Sequence, residues 1–107
     1  MYTIVETPLF SKLWPDYWSL DEHSEFVTHL AEHPEMGDVI PQSGGCRKVR
    51  WTRPGMGKRG GVRVIYFNQL ADGRIVLMLI YAKSAQENIP ASVLRQIAKE
   101  LRHGQAE

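Results

Sequence analysis

One cysteine, Cys46, stands in 107 residues, so no internal disulfide can form and a reducing, cytoplasmic setting is expected. Long hydrophobic runs are missing too: the longest apolar stretch, Ile75 to Ala82, is far too short to cross a bilayer. Met1 to Phe10 lacks the basic start and apolar stretch of a secretory leader. No repeat, low-complexity tract or linker interrupts the chain, so one domain spanning residues 1–107 is the simplest organisation. A hydrophobic content of 43% argues against disorder. The most informative absence is acidic: no Asp or Glu lies between residues 39 and 71.

What fills that gap is positive charge. Residues 41–83 hold nine bases (Arg47, Lys48, Arg50, Arg53, Lys58, Arg59, Arg63, Arg74 and Lys83) against Asp72 alone, a net of +8. Residues 1–40 hold eight acids and Lys12, a net of −7, and the remainder balances. The overall charge of +1 therefore conceals a dipolar molecule. A polyanion such as RNA would find a concentrated footprint in its middle. The histidines, His23, His29, His33 and His103, have no cysteine partners. His29 and His33 are one helical turn apart, but Pro34 follows and no third ligand is evident, so a solvated helix face is expected, with no metal and no cofactor.

Tyr2 to Glu6 has the β-branched content of a short strand. Phe10, Leu13 and Trp14 recur at helical spacing, and Pro15 predicts a short or broken helix over Pro8 to Trp18. Ser19 with Glu22 reads as a capping box for a helix whose apolar stripe is Phe26, Val27, Leu30 and Ala31, ending at His33-Pro34. Its other face, with Asp21, Glu22, Glu25 and Glu32, is acidic. Gly37 to Gly45 reads as a loop. Three strands follow: Cys46 to Thr52, Gly61 to Asn68, and Arg74 to Ala82, the last apolar on both faces as an interior strand is. Asn68 to Gly73 should close the last two as a hairpin. A final helix starts around Asn88 to Pro90, with Val93, Leu94, Ile97, Ala98 and Leu101 on its buried face. The order β-α-α-β-β-β-α predicts an α+β domain, with N-terminal helices and a C-terminal helix packed on a small antiparallel sheet.

Gly55 to Gly60 matches the G-x-G-x-x-G string, yet a strand follows where the dinucleotide motif needs a helix, and Lys58 precedes Arg59 where a Walker A loop needs Ser or Thr. A basic loop is the better reading. Lys48 and Arg50 should emerge on one strand face about 6.6 Å apart, where Arg63 and Lys83 can join them across the sheet. A solvated edge is the plain alternative, but clustered cations without nearby acids repel one another unless an anion is expected. Tyr81 and Tyr66 can stack on a base or donate a hydroxyl proton, or simply pack. Trp14, Trp18 and Trp51 read as packing residues. Cys46, lacking an identifiable base, does not read as a nucleophile.

The segments Gly44-Gly45-Cys46-Arg47-Lys48-Val49-Arg50, Gly57-Lys58-Arg59-Gly60-Gly61-Val62-Arg63-Val64-Ile65-Tyr66 and Leu79-Ile80-Tyr81-Ala82-Lys83 resemble the RelE/HigB-type toxins of bacterial type II toxin–antitoxin modules, within the RelE/ParE superfamily. The similarity runs over essentially the whole chain. It implies a small cytoplasmic endoribonuclease, an mRNA interferase that enters the ribosomal A site and cuts translated mRNA without a metal. It also implies a cognate antitoxin of helix-turn-helix type. By this resemblance Arg63 holds the scissile phosphate, Lys48 and Arg50 form the basic pair beside it with Lys48 a candidate base, and Lys83 serves as acid or binds the leaving side. Tyr81 stands in for a tyrosine that several members carry beyond the position of Lys83, because Ser84 to Ile89 contains none. Lys58 and Arg59, with Arg47 and Arg53, are assigned to ribosomal RNA. A related gyrase-poisoning toxin, which is a binder and no enzyme, is disfavoured by the clustered cations. A passive RNA-binding relative is the other alternative.

Overall fold

The computed structural model describes residues 2–52, 61–82 and 90–104, with side chains to residue 101. Strand β1, Thr3–Glu6, leads into helix α1, Pro8–Leu13, whose N-cap Thr7 accepts from the Phe10 N–H at 3.1 Å. Pro15 then forces a tighter 3-10 turn over Trp14–Asp16, the break expected from the sequence. Helix α2, Leu20–Glu32, opens on the predicted capping box: Glu22 N–H donates to Ser19 Oγ, and Ser19 N–H donates to the Glu22 carboxylate at 2.8 Å. Its stripe buries Phe26, Leu30 and Ala31.

The segment Gly37 to Gly45 is more than a loop. It contains a two-residue edge strand, β2, Asp38–Val39, which pairs antiparallel with β3, Cys46–Trp51. Strands β4, Val62–Gln69, and β5, Arg74–Ala82, form the expected hairpin, closed by a 3-10 turn and by Gly73 at φ 73°. Helix α3, Ala91–Gly104, follows.

The strands lie in the order β1-β5-β4-β3-β2. The antiparallel arrangement predicted from the sequence holds from β5 to β2, while β1 adds a parallel edge beside β5, so the five-stranded sheet is mixed. Sequence periodicity marks β1 as a strand but carries no information on which strand it meets, or in which direction.

The sheet separates two cores. Phe10, Trp18, Phe26 and Leu30 pack from the N-terminal helices onto Val49, Val64, Tyr66, Ile75, Leu77 and Ile80. On the other face Leu94 and Ala98 of α3 pack on Cys46, Ile65, Phe67, Val76, Met78, Leu79 and Tyr81. Trp51 meets Phe26 edge to face at 5.2 Å and Trp14 stacks on His23 at 4.1 Å, so the tryptophans pack as expected. The buried face of α3 is narrower than predicted. Leu94 and Ala98 point squarely at the sheet and Leu101 packs at the margin of the same core, while Val93 and Ile97 stay 44% and 37% exposed.

Candidate RNA-binding face

The candidate face depends on an irregularity in β5. Ile65 pairs with Leu79, but Tyr66 pairs with Leu77, so Met78 is an extra residue in the ladder. Such a bulge lets two successive side chains share a face, and Met78 and Leu79 both lie in the core beneath α3. Strict alternation from Ile75 and Leu77 would have sent Tyr81 toward α2. The bulge reverses the parity and brings Tyr81 to the face that Arg63 occupies.

On that face the ladder sets Arg50 of β3 opposite Arg63 of β4, and Arg63 opposite Tyr81 of β5. The three form one row across the sheet. Lys48 stands two residues along β3, opposite Ile65. Directly opposed side chains have Cβ atoms about 5 Å apart, so Arg50 and Arg63 leave the sheet side by side on this face. Helix α3 covers the apolar part of this face, with Leu94 over Cys46, and leaves Lys48 and Arg50 exposed. Among the described residues, neither Lys48 nor Arg50 takes part in an ion pair.

The other nominated residues separate from this row. Arg47 has the opposite parity, and its Nη1 donates to the Gly37 carbonyl at 2.7 Å, tying β2 to the sheet. Tyr66 also faces away from the row, fully buried among the N-terminal helices. Its hydroxyl accepts from Gly37 N–H at 2.9 Å and donates to the Pro34 carbonyl at 2.9 Å, where Asn68 Nδ2 donates as well. Burial pushes its pKa above the usual 10.0, against the opposing pull of the Gly37 hydrogen bond and of Arg47. Tyr66 is therefore a packing and tethering residue. Cys46 is wholly buried, with Sγ 3.7 Å from Met78 Sδ. Arg53, Lys58, Arg59, Lys83 and the Gly55–Gly60 string lie outside the described residues.

One residue near this face escaped the reading of the sequence. Asp38 of β2 is the ladder partner of Lys48 and shares its face. In the chain it belongs to the acidic first third. Only the pairing of β2 with β3 reveals its position.

The acidic face of α2 lies on the other side of the sheet from Lys48, Arg50 and Arg63. There Asp21, Glu25, Glu32 and His29 border a groove of about 560 Å³ with Trp51 and Thr52. His29 and His33 stack on each other at 4.5 Å. No His, Cys, Asp or Glu group among the described residues has the three members needed to hold a metal ion. Among the same residues, no helix is long and apolar enough to cross a membrane.

No protein-family profile matches the chain. Among solved structures it is similar to the isolated E. coli RelE toxin, at 15% identity and a TM-score of 0.55. The alignment covers 94% of this chain and 99% of that one. The fold is RelE-like.

Proposed function

We propose that this chain is the toxin of a type II toxin–antitoxin module, a ribosome-dependent endoribonuclease that cuts translated mRNA in the cytoplasm. One observation carries the reading: Arg50 and Arg63 stand directly opposite each other in the ladder, with Tyr81 next in the row. Two guanidinium-bearing side chains at directly opposed positions on one face can engage the same phosphate from two sides. The RelE-like fold supports the same assignment.

In the proposed reaction the ribose 2′ oxygen bonds to the adjacent phosphorus while the bond from phosphorus to the 5′ oxygen breaks. The 2′ proton passes to a base, and the departing 5′ oxygen takes a proton from an acid. The products are a 2′,3′-cyclic phosphate and a 5′ hydroxyl. Arg63 and Arg50 hold the phosphate oxygens, and a guanidinium fork suits the charge that grows on them. Lys48 is the candidate base, and Tyr81, whose ring is buried in the core beneath α3, is left its hydroxyl alone to offer the nucleotide. Lys83 is assigned to the leaving side, and Arg53, Lys58 and Arg59 to ribosomal RNA. Arg47 is left to its structural tie. The single domain is used whole, and its partners are the ribosome, mRNA and a cognate antitoxin of helix-turn-helix type.

The test is mapping of transcript 5′ ends after brief expression. Cuts inside reading frames that vanish when initiation is blocked support the reading. Intact mRNA with induction of the DNA-damage response would replace it with gyrase poisoning, and RNA binding without cut products would leave a passive binder.

A further inference from the structure

We infer that Asp38 is a specificity-determining residue, whose carboxylate reads the base beside the scissile phosphate; this rests on the nuclease reading above. The argument begins with how firmly β2 is held. A two-residue edge strand has little to fix it, yet here it is pinned at both ends. The Gly37 N–H donates to Tyr66 Oη at 2.9 Å, Arg47 Nη1 donates to the Gly37 carbonyl at 2.7 Å, and the Ile40 N–H donates to the Cys46 carbonyl at 2.8 Å. The approach at Gly37 is so close that a Cβ there would lie 3.0 Å from the Tyr66 ring and hydroxyl and 3.1 Å from the Lys48 carbonyl carbon. The buried tether on one side of the sheet thus fixes what β2 presents on the other, the exposed Asp38 side chain.

Asp38 stands opposite Lys48, at the margin of the cationic row. Two strands and two residues separate it from Arg63, on the order of 12 Å between backbones by ladder geometry. A nucleotide whose phosphate is held by Arg50 and Arg63, and which runs from there toward β2, sets its base over Lys48 and Asp38. A carboxylate there repels the RNA backbone and accepts hydrogen bonds only. Among the described residues Asp38 and Lys48 are not ion-paired. The two oxygens of the Asp38 carboxylate match a base with two adjacent N–H donors on the Watson–Crick edge. Among RNA bases that is guanine, through N1–H and the exocyclic amine. Adenine, cytosine and uracil each set one donor beside an acceptor. Unstacked single-stranded bases are read on this edge.

The experiment uses the full chain and its Asp38→Ala, Asp38→Asn and Arg63→Ala variants with ribosomes translating a mixed mRNA pool. Cut positions and total cutting are measured, and thermal melts verify that each variant is folded. The wild type is expected to favour guanine at one fixed position beside the cut, on the order of tenfold. Asp38→Ala should flatten that position while retaining total cutting. Asp38→Asn should likewise lose the guanine preference, since an amide offers one donor and one acceptor and so matches the Watson–Crick edges of adenine, cytosine and uracil as well. An unchanged profile in Asp38→Ala overturns the inference, as does a uniform slowing at every site. A wild type that makes no cuts removes the nuclease reading and this inference with it. An Arg63→Ala chain that cuts normally removes the phosphate row, and with it the placement of the base over Asp38, while leaving the nuclease reading standing.

Discussion

Tyr66 shows how much one hydroxyl can hold. Fully buried, it joins β4 to the Pro34–Gly37 segment through one hydrogen bond accepted and one donated. Tyr66→Phe leaves the Gly37 N–H without its partner, and should lower unfolding free energy by about 1–3 kcal/mol in urea titrations. The pH dependence follows from the raised pKa. The folded state keeps the phenol protonated where the unfolded chain begins to lose its proton, so this contribution is complete below pH about 10. It is lost as pH rises through the folded value. The stability difference between wild type and Tyr66→Phe should therefore narrow above pH about 10, read from denaturant midpoints. At the proposed site, Arg63→Ala should reduce the cutting rate on the order of 10²- to 10³-fold, the loss typical of removing one donor to transition-state charge. Growth arrest on expression reads the same effect, and retained binding to the antitoxin would separate it from misfolding.

At the scale of elements, the N-terminal helices are fixed by local chemistry and the edge strand by distant side chains. The box of Ser19 and Glu22 satisfies two backbone donors at the start of α2. Ser19→Ala should cost about 1 kcal/mol, measured by thermal or urea unfolding, with the cationic face untouched because α2 packs on the opposite side of the sheet. Strand β5 is harder to perturb: its residues from Ile75 to Tyr81 are all buried between two cores. Leu77→Ala opens the core beneath α1 and α2, and should cost about 2–5 kcal/mol by the same measurement. Where the chain enters β4, Gly61 holds φ 72°, and a Cβ there would lie 2.2 Å from the Trp51 carbonyl oxygen. This is one glycine of the Gly60-Gly61 pair whose role is plainly steric.

For the whole molecule the decisive property is the separation of charge. The acidic helix α2 and the row of Lys48, Arg50 and Arg63 lie on opposite sides of one sheet, so the two sides of the chain present opposite charge to a polyanion. Single-stranded RNA bound at those three cations should show a slope of log affinity against log salt of about −2, and Lys48→Gln should reduce its magnitude by about 0.7. Filter binding across a salt series measures it. A slope near zero would mean that the face does not hold phosphates.

Most elements were legible because their cues are local. The break at Pro15, the cap at Ser19 and the doubly apolar run of β5 each depend on residues within a few positions. The basic pair Lys48 and Arg50 was legible for the same reason, since residues two apart on a strand share a face. The parallel partner of β1, the strand within Gly37 to Gly45, and the structural duty of Arg47 were not, since each depends on a contact distant in sequence. Asp38 was hidden likewise until pairing brought it beside Lys48. The sequence by itself determined the helices, the main strands and the segregation of charge. The tertiary structure alone decided which side chains stand together, because the extra residue at Met78 reverses the alternation of β5 and delivers Tyr81 to the arginine row.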